Sequence, residues 1–250
     1  MAQGASLRLQ LTFQEDGVDF GGRHVVVTGG TGALGTAVVG ALVGAGAVCH
    51  VPYMHAAEAD RFGLRGHAQV TLSGPTDLTD EGAVARLFDA IPALWASIHL
   101  AGGFAMAPIG ETKKADLIQQ IEMNLVTAFL CCRAAVKAIT RAGQGGRIVN
   151  VTARPALEWR SGAGMTAYAA SKAAVAALTV ALAEEVVKQG ILVNAVAPSI
   201  MDTPANRAAM PKADHGAWPK VEEVAVTIRF LASPDNTVTR GGIVPVYGKS

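Results

Sequence analysis

The sequence predicts an α/β domain built on a doubly wound, mostly parallel sheet with helices on both faces. From residue 24 onward, short β-branched runs alternate with segments of helical length. Such alternation is typical of right-handed βαβ units. The length of 250 residues suits one large domain, and half of the residues are apolar. Because no repeat, linker or low-complexity stretch divides the chain, we expect a single domain.

Five strands are predicted from short runs rich in Val, Ile and Ala. They are His24–Val27, Ala47–Val51, Trp95–Ala101, Arg147–Thr152 and Leu192–Ala197. An apolar helix is expected from Thr36 to Gly44, and a long Ala-rich helix begins near Tyr168. Helices of this length between consecutive strands allow the strands to run parallel to one another.

Residues 1–20 do not share this alternation and are predicted to form an N-terminal extension of a domain that covers residues 21–250. Leu7, Leu9, Leu11 and Phe13 alternate with polar residues, which is the period of a half-buried strand. An added strand and a disordered lead-in are the two alternatives for this segment.

Charge and cysteine content exclude several classes of protein. A formal net charge of +1 without long runs of one sign gives no reason to expect a nucleic acid or a membrane as partner. Cys49, Cys131 and Cys132 are too few and too poorly spaced for a disulfide framework or a metal site, so buried free thiols are expected. The N-terminus lacks the order of a signal peptide. We therefore expect a cytoplasmic protein without a metal.

A glycine-rich turn, Thr28–Gly35, separates the first strand from the first helix. Gly30, Gly32 and Gly35 fit the spacing G-x-G-x-x-G, which permits a tight turn and close approach of the backbone to a pyrophosphate. The N–H groups at the start of the helix favour the phosphates. The turn therefore predicts a Rossmann-type dinucleotide site with Gly29, Thr31, Gly32 and Leu34 as candidate contacts.

The second strand lacks the acid that usually binds the adenosine ribose of NAD. After Val51 the sequence continues through Pro52 and Tyr53, with no acid before Glu58 and no arginine before Arg61. Tyr53 is a candidate cofactor contact. The cofactor is expected to be NADP(H) or NAD(H), and the missing acid permits NADP(H).

Tyr168 and Lys172 lie four residues apart at the start of the long Ala-rich helix. Residues at this spacing project from one helical face, so the phenol and the ammonium can reach the same pocket. A nearby ammonium is expected to lower the pKa of the phenol, which would then exchange a proton with a substrate. With the glycine turn, the pair predicts hydride-transfer chemistry on a small molecule.

From residue 22 onward the chain resembles the short-chain dehydrogenase/reductase family. The matching segments follow in the family's order: the TGGTGALG turn, Asp77-Leu78, Ala101-Gly102-Gly103, Asn124, Tyr168/Lys172 and NAVAP at 194–198. The resemblance implies contacts to adenine from Asp77 and Leu78, and to the nicotinamide side from Pro198, Ile200 and Thr203. It also implies that Ala101, Gly102 and Gly103 pass behind the cofactor. Lys172 would hold the nicotinamide ribose, and Asn124 would anchor a water beside it.

Several residues depart from the family pattern. Ala33 and Ser199 each replace a glycine of the family's motifs, and His99 replaces an asparagine. The serine that normally helps to bind the substrate oxygen falls on Ala153, so Thr152 is a candidate catalytic substitute and Ser161 a weaker one. Loss of one such donor costs about 3–4 kcal/mol of transition-state stabilisation.

These departures leave alternatives open. Segments 153–168 and 202–218 are similar to the substrate side of dihydropteridine reductases, which keep the tyrosine and lysine but lack the serine. A second alternative is a non-catalytic nucleotide sensor or scaffold, and a third is an epimerase with tightly held NAD.

Nine alanines between Ala167 and Ala183 make a helix face that another helix can approach closely. The family resemblance implies a homodimer or homotetramer built through this helix and residues 115–140.

Overall fold

A computed structural model describes residues 17–250. The predicted N-terminal strand around Leu7–Phe13 lies outside the described residues. Val18 and Phe20 already pack in the core, and the Phe20 N–H donates to the carbonyl of Ala45 at 2.8 Å. The packed domain therefore begins before the predicted boundary at residue 21.

A seven-stranded parallel sheet forms the centre of the molecule. Its strands are β1 (His24–Thr28), β2 (Val48–Pro52), β3 (Val70–Ser73), β4 (Leu94–His99), β5 (Gly146–Val151), β6 (Ile191–Pro198) and β7 (Ile243–Val246). Their order across the sheet is β3-β2-β1-β4-β5-β6-β7. The order reverses between β1 and β4, and in doubly wound folds a crevice opens beyond the carboxyl ends of the strands at this point.

Helices cover both faces of the sheet. They are α1 (Ala33–Gly44), α2 (Ala56–Arg61), α3 (Glu81–Asp89), α4 (Lys114–Ile121), α5 (Thr127–Ala142), α6 (Arg154–Leu157), α7 (Thr166–Glu185), α8 (Pro204–Ala209) and α9 (Val221–Ala232). Helices α1 and α9 enclose one apolar core with β1 and β4, whereas α3, α5 and α7 enclose a second core on the opposite face. The predicted fold class is thereby confirmed.

All five predicted strands are present within one or two residues of their predicted bounds. Two strands were missed, β3 and β7, which are the two edges of the sheet. Helix α1 begins at Ala33 rather than Thr36, so the last glycine of the turn already belongs to the helix. The three cysteines are free and buried, as predicted.

Two helical stretches, Lys114–Ala142 and Thr166–Glu185, are long and apolar enough to cross a membrane by length and composition alone. Core helices meet the same criterion. Here α5 packs on β4 and α7 packs on β6. Packing on the sheet therefore accounts for their buried apolar side chains.

Candidate active site

The glycine turn lies at the carboxyl end of β1, directly under the start of α1. Gly29 has a φ of +65°, and a Cβ there would come within 2.7 Å of the Ala101 nitrogen. A Cβ on Gly35 would come within 2.5 Å of the Gly30 Cα. Both positions therefore require glycine because the turn packs closely against its neighbours, and Gly29 requires it also for its backbone conformation.

The first turn of α1 is open to an anion. Gly32 is the N-cap and offers no side-chain cap, and the first turn contains no acidic residue. Leu34, a predicted cofactor contact, directs its side chain into the core, so only its backbone N–H faces the turn. Free N–H groups at a helix N-terminus stabilise phosphate. The turn thus fits the pyrophosphate of a nicotinamide dinucleotide.

A groove of about 530 Å³ continues from this turn across the ends of β2 and β3. The lining residues are Gly29, Thr31, Gly32, Pro52, Tyr53, Met54, Glu58, Arg61, Thr76, Asp77, Leu78, Thr79, Ala101, Met123 and Thr127. This volume lies in the range of small-molecule and cofactor sites. Seven of the predicted cofactor contacts line it, from the turn to Ala101.

Asp77 lies on the groove with its carboxylate fixed by its own loop. Oδ1 accepts from the Thr79 N–H at 2.8 Å and from the Thr79 hydroxyl at 2.7 Å. The Thr79 bonds lower the pKa of the Asp77 carboxyl below its usual range. Directly after β2, the Tyr53 hydroxyl donates to the Gly74 carbonyl at 3.3 Å, which holds its ring beside the groove.

Sequence reasoning missed the contribution of α2 to the groove. Met54, Glu58 and Arg61 line it, although the acid and the arginine lie beyond the end of β2 in the sequence. Helix α2 begins after its N-cap His55, and the Glu58 Oε2 accepts from the Met54 N–H at 3.3 Å. The signal in the sequence is Glu58 in the first turn of a short helix, where its carboxylate can reach back to the preceding strand end.

Asn124 lies in a π-helical turn, Glu122–Val126, between α4 and α5. The turn lets the side chain point toward Gly103: Oδ1 accepts from the Gly103 N–H and Nδ2 donates to the Gly103 carbonyl, each at 3.0 Å. Nδ2 also lies 3.1 Å from the Ser171 hydroxyl. Single π-turns in helices are frequent at functional sites. Asn124 therefore joins the loop after β4 to α7.

Lys172 is buried beneath the same loop. Its Nζ donates to the Val151 carbonyl at 2.9 Å, and a Cβ on Gly102 would lie 3.5 Å from Nζ. Burial lowers the pKa of the Lys172 ammonium to about 8. Tyr168 lies one helical turn earlier on α7, half-buried, with its ring edge-on to Phe104 at 4.9 Å between centroids.

The expected depression of the Tyr168 pKa was wrong for this structure. Burial raises the pKa of the Tyr168 phenol to about 12. The lysine is itself buried and donates to the Val151 carbonyl, so removal of the phenol from water has the larger effect. Tyr168 therefore carries its proton throughout the neutral range.

The loop after β5 lacks a hydroxyl donor for a substrate. Thr152 is buried and donates its only proton to the Lys172 carbonyl at 2.6 Å, so it does not replace the missing serine as a donor. Its hydroxyl instead fixes α7 to the end of β5. Ser161 donates to the Glu158 carbonyl at 2.8 Å. Ala153 occupies the serine position with a methyl group.

The remaining predicted contacts follow β6. Pro198 ends the strand, Ile200 is 44% exposed, and the Thr203 hydroxyl caps α8 by accepting from the Asn206 N–H at 3.2 Å. None of the three lines the groove. Ser199 donates to the Tyr247 carbonyl at 3.0 Å, which fastens the C-terminal residues to this loop.

His99 anchors a buried polar chain between the sheet and helices α5 and α7. Nε2 lies 2.7 Å from the Ser97 hydroxyl and Nδ1 lies 2.8 Å from Asn150 Oδ1, while Asn150 donates to Thr179 at 3.0 Å. Because the Asn150 oxygen only accepts, Nδ1 carries the proton of a neutral imidazole. This chain bonds β4 to β5 just below the loop that Asn124 binds.

Acid is expected to weaken the fold through His99. Burial lowers the pKa of its imidazole to about 4, whereas an unfolded histidine titrates near 6.5. The unfolded state therefore binds more protons between these values, and stability present above pH about 6.5 is lost as pH falls toward 4. The loss approaches about 3 kcal/mol.

Urea unfolding of wild type and His99→Asn at several pH values measures this effect. The variant should show a flatter decline between pH 6.5 and 4, whereas a control substitution at exposed His67 should keep the wild-type slope. Equal slopes for wild type and His99→Asn would contradict the assignment.

A family model for short chain dehydrogenases matches residues 23–214. Among curated relatives, cis-4-hydroxycyclohexanecarboxylate dehydrogenase of Sinomonas cyclohexanicum is 35% identical over 246 residues, covering 93% of this chain and 98% of the relative. Galactitol 2-dehydrogenase of Rhizobium johnstonii is 33% identical, covering 90% and 93% of the two chains. Both matches span the glycine turn, the groove and the Tyr168–Lys172 helix.

Solved structures share the fold. A short-chain type dehydrogenase/reductase from Mycobacterium ulcerans superimposes with a TM-score of 0.83 at 25% identity, covering 93% of this chain and 90% of that one. ElxO, solved with NADP bound, gives a TM-score of 0.81 at 23% identity, covering 91% and 98%. The glycine turn, the groove and the paired residues of α7 thus occur in a chain that matches this family over most of its length. The protein belongs to the short-chain dehydrogenase family and is an NAD(P)-dependent oxidoreductase.

Proposed function

We propose that the enzyme transfers hydride between a nicotinamide cofactor and a small cyclic alcohol or ketone, with Tyr168 as the general acid or base. One observation carries this proposal: Tyr168 and the buried Lys172 lie one turn apart on α7, next to the loop that Asn124 binds. When bound, the cofactor supplies or accepts the hydride. The glycine turn and the groove would hold its pyrophosphate and adenosine.

Tyr168 suits the role of proton donor in carbonyl reduction. Its raised pKa keeps the phenol protonated at neutral pH, so the proton is present when the substrate oxygen gains charge. In the oxidative direction the phenolate form, which the raised pKa disfavours at neutral pH, takes the proton from the alcohol. Lys172 contributes positive charge that stabilises the phenolate formed on donation, and Asn124 and Thr152 position the segments that carry this pair.

An exposed apolar surface beside the phenol supports a cyclic, largely apolar substrate. Phe104 is 58% exposed while its ring contacts Tyr168, and Met106, 61% exposed, lies near Gly164. Aromatic rings bind other rings by stacking or edge contact. The relative from Sinomonas cyclohexanicum is named for cis-4-hydroxycyclohexanecarboxylate, a cyclic alcohol that also carries a carboxylate.

The proposal is tested by following nicotinamide absorbance with cyclohexanol and cyclohexanone derivatives, linear alcohols of equal carbon number and a quinonoid dihydropterin. Turnover of the cyclic alcohols and ketones is expected to exceed that of the linear ones. Preference for the pterin would favour the dihydropteridine reductase-like alternative, which Ala153 and the internally bonded Thr152 support. Nucleotide binding without any turnover would favour the sensor or scaffold.

Carbonyl reduction is expected to decline as pH rises through about 8. The pKa of Lys172 is near 8, so its ammonium is present below that pH and lost above it. The pKa of Tyr168 is about 12, so the phenol keeps its proton across the same interval. The kcat of the reductive reaction should be measured from pH 6 to 10. A flat profile from pH 7 to 9.5 would contradict a role for the lysine charge.

We propose that the protein is a homodimer or homotetramer. Apolar side chains remain exposed on the outer helices, with Leu117 36%, Phe129 48% and Val180 44% exposed on α4, α5 and α7. Helices α4 and α5 both contact α7, so these side chains lie on neighbouring helices. Exposed apolar patches are typical of subunit interfaces. Light scattering is expected to give a multiple of 25.7 kDa. A mass of 25.7 kDa alone, or no change with Phe129→Glu, would contradict this interface.

A further inference from the structure

Glu58 brings a carboxylate to the place where the second strand lacks one. Strand β2 ends at Pro52, and the following residues contain no acid before Glu58. The Glu58 side chain nevertheless returns to this strand end, because Oε2 accepts from the Met54 N–H at 3.3 Å. It is half-buried and lines the groove beside Tyr53.

In dinucleotide folds, an acid at the end of the second strand accepts a hydrogen bond from the ribose 2′-hydroxyl of NAD. A carboxylate there also repels the 2′-phosphate of NADP. We propose that Glu58 recognises the adenosine ribose from helix α2 and makes the enzyme selective for NAD(H) over NADP(H). This inference rests on the proposed nicotinamide-dependent function.

Arg61 is the competing group in the same groove, because a guanidinium would attract a 2′-phosphate. Its Nε donates to the Ala57 carbonyl at 3.0 Å, so the side chain folds back along its own helix. It is exposed, whereas Glu58 is half-buried and bonded to the strand end. Solvent therefore screens the arginine more strongly than the carboxylate.

The overall charge of the groove favours the same choice. Glu58, Arg61 and Asp77 are the charged side chains among its lining residues, so two carboxylates face one guanidinium. The Thr79 bonds lower the pKa of Asp77, which keeps its carboxylate ionised at neutral pH. The excess negative charge opposes a nucleotide that carries an additional phosphate. NAD(H) lacks that phosphate and gains a hydrogen bond to Glu58.

The test is a fluorescence titration of the purified full-length protein with NADH and NADPH, which reads binding without any substrate. Wild type is expected to bind NADH at least about tenfold more tightly than NADPH. Glu58→Gln keeps the size of the side chain and removes its charge. This variant should bring the two dissociation constants within about threefold, mainly by tightening NADPH. The exposed Glu222→Gln on α9 is the matched control and should retain the wild-type ratio.

Arg61→Gln separates the two charged groups. It should weaken NADPH more than NADH, because only NADPH carries the 2′-phosphate that a guanidinium attracts. Tighter binding of NADPH than NADH by wild type, with that preference lost in Arg61→Gln, would overturn the inference and assign the phosphate to Arg61. An unchanged ratio in Glu58→Gln would overturn it as well. If neither nucleotide binds a protein that melts cooperatively, the proposed function fails and the inference with it.

Discussion

Tyr168→Phe is expected to lower kcat by about 10²–10⁴-fold while nucleotide affinity stays unchanged. The substitution removes the hydroxyl that exchanges the proton, and general acid–base catalysis contributes rate factors of this size. The phenyl ring keeps the buried volume and the edge contact with Phe104. Since the raised pKa already keeps the hydroxyl protonated, the variant removes a proton donor and leaves the charge of the free enzyme unchanged.

The measurement is steady-state turnover with the best substrate of the screen, alongside titration with the reduced cofactor. Tyr247→Phe is the matched control, because it removes a hydroxyl but leaves the ring over which the Arg154 guanidinium stacks at 4.9 Å. It should retain most of the wild-type kcat. Turnover by Tyr168→Phe above a tenth of the wild-type rate would contradict the assignment of Tyr168 as the proton donor.

The sequence was sufficient to predict the fold where the pattern was local. Buried parallel strands appear as continuous apolar runs, which is why the five central strands were found. The two edge strands were missed for physical reasons. Strand β3 has only four residues, and β7 includes Pro245, which lacks an N–H and is tolerated at an edge. Side chains at an edge are also less buried, so their apolar signal is weaker.

The candidate site was predictable where one segment supplies it. The glycine turn and the Tyr168–Lys172 spacing each lie within one strand–helix or helical unit. By contrast, Glu58 enters the groove because α2 begins shortly after the end of β2, and the His99 ring is hydrogen-bonded by Ser97 and Asn150 on two strands. The direction of the Tyr168 pKa shift depends on burial by distant segments. Contacts between segments that are distant in the sequence cannot be predicted from the spacing of residues within one segment.

A single methyl group added at Gly35 is expected to disrupt the glycine turn. Gly35→Ala is expected to destabilise the protein and to weaken nucleotide binding strongly. The new Cβ would lie 2.5 Å from the Gly30 Cα and 2.6 Å from its carbonyl carbon, and these are backbone atoms that cannot rotate away. Overpacking of this kind costs about 1–3 kcal/mol, occasionally more. The turn must therefore open and withdraw its N–H groups from the phosphate position.

Gly63→Ala is the matched control, since a Cβ at Gly63 meets nothing within 4 Å. Urea unfolding and cofactor titration should show a lower free energy of unfolding and a weaker affinity for Gly35→Ala, and wild-type values for Gly63→Ala. The two losses are separable, because saturating nucleotide stabilises only a protein that binds it. At one fixed concentration, cofactor should therefore raise the melting temperature of wild type more than that of Gly35→Ala. A Gly35→Ala variant with wild-type affinity would show that close packing of α1 on the turn is not required for the site.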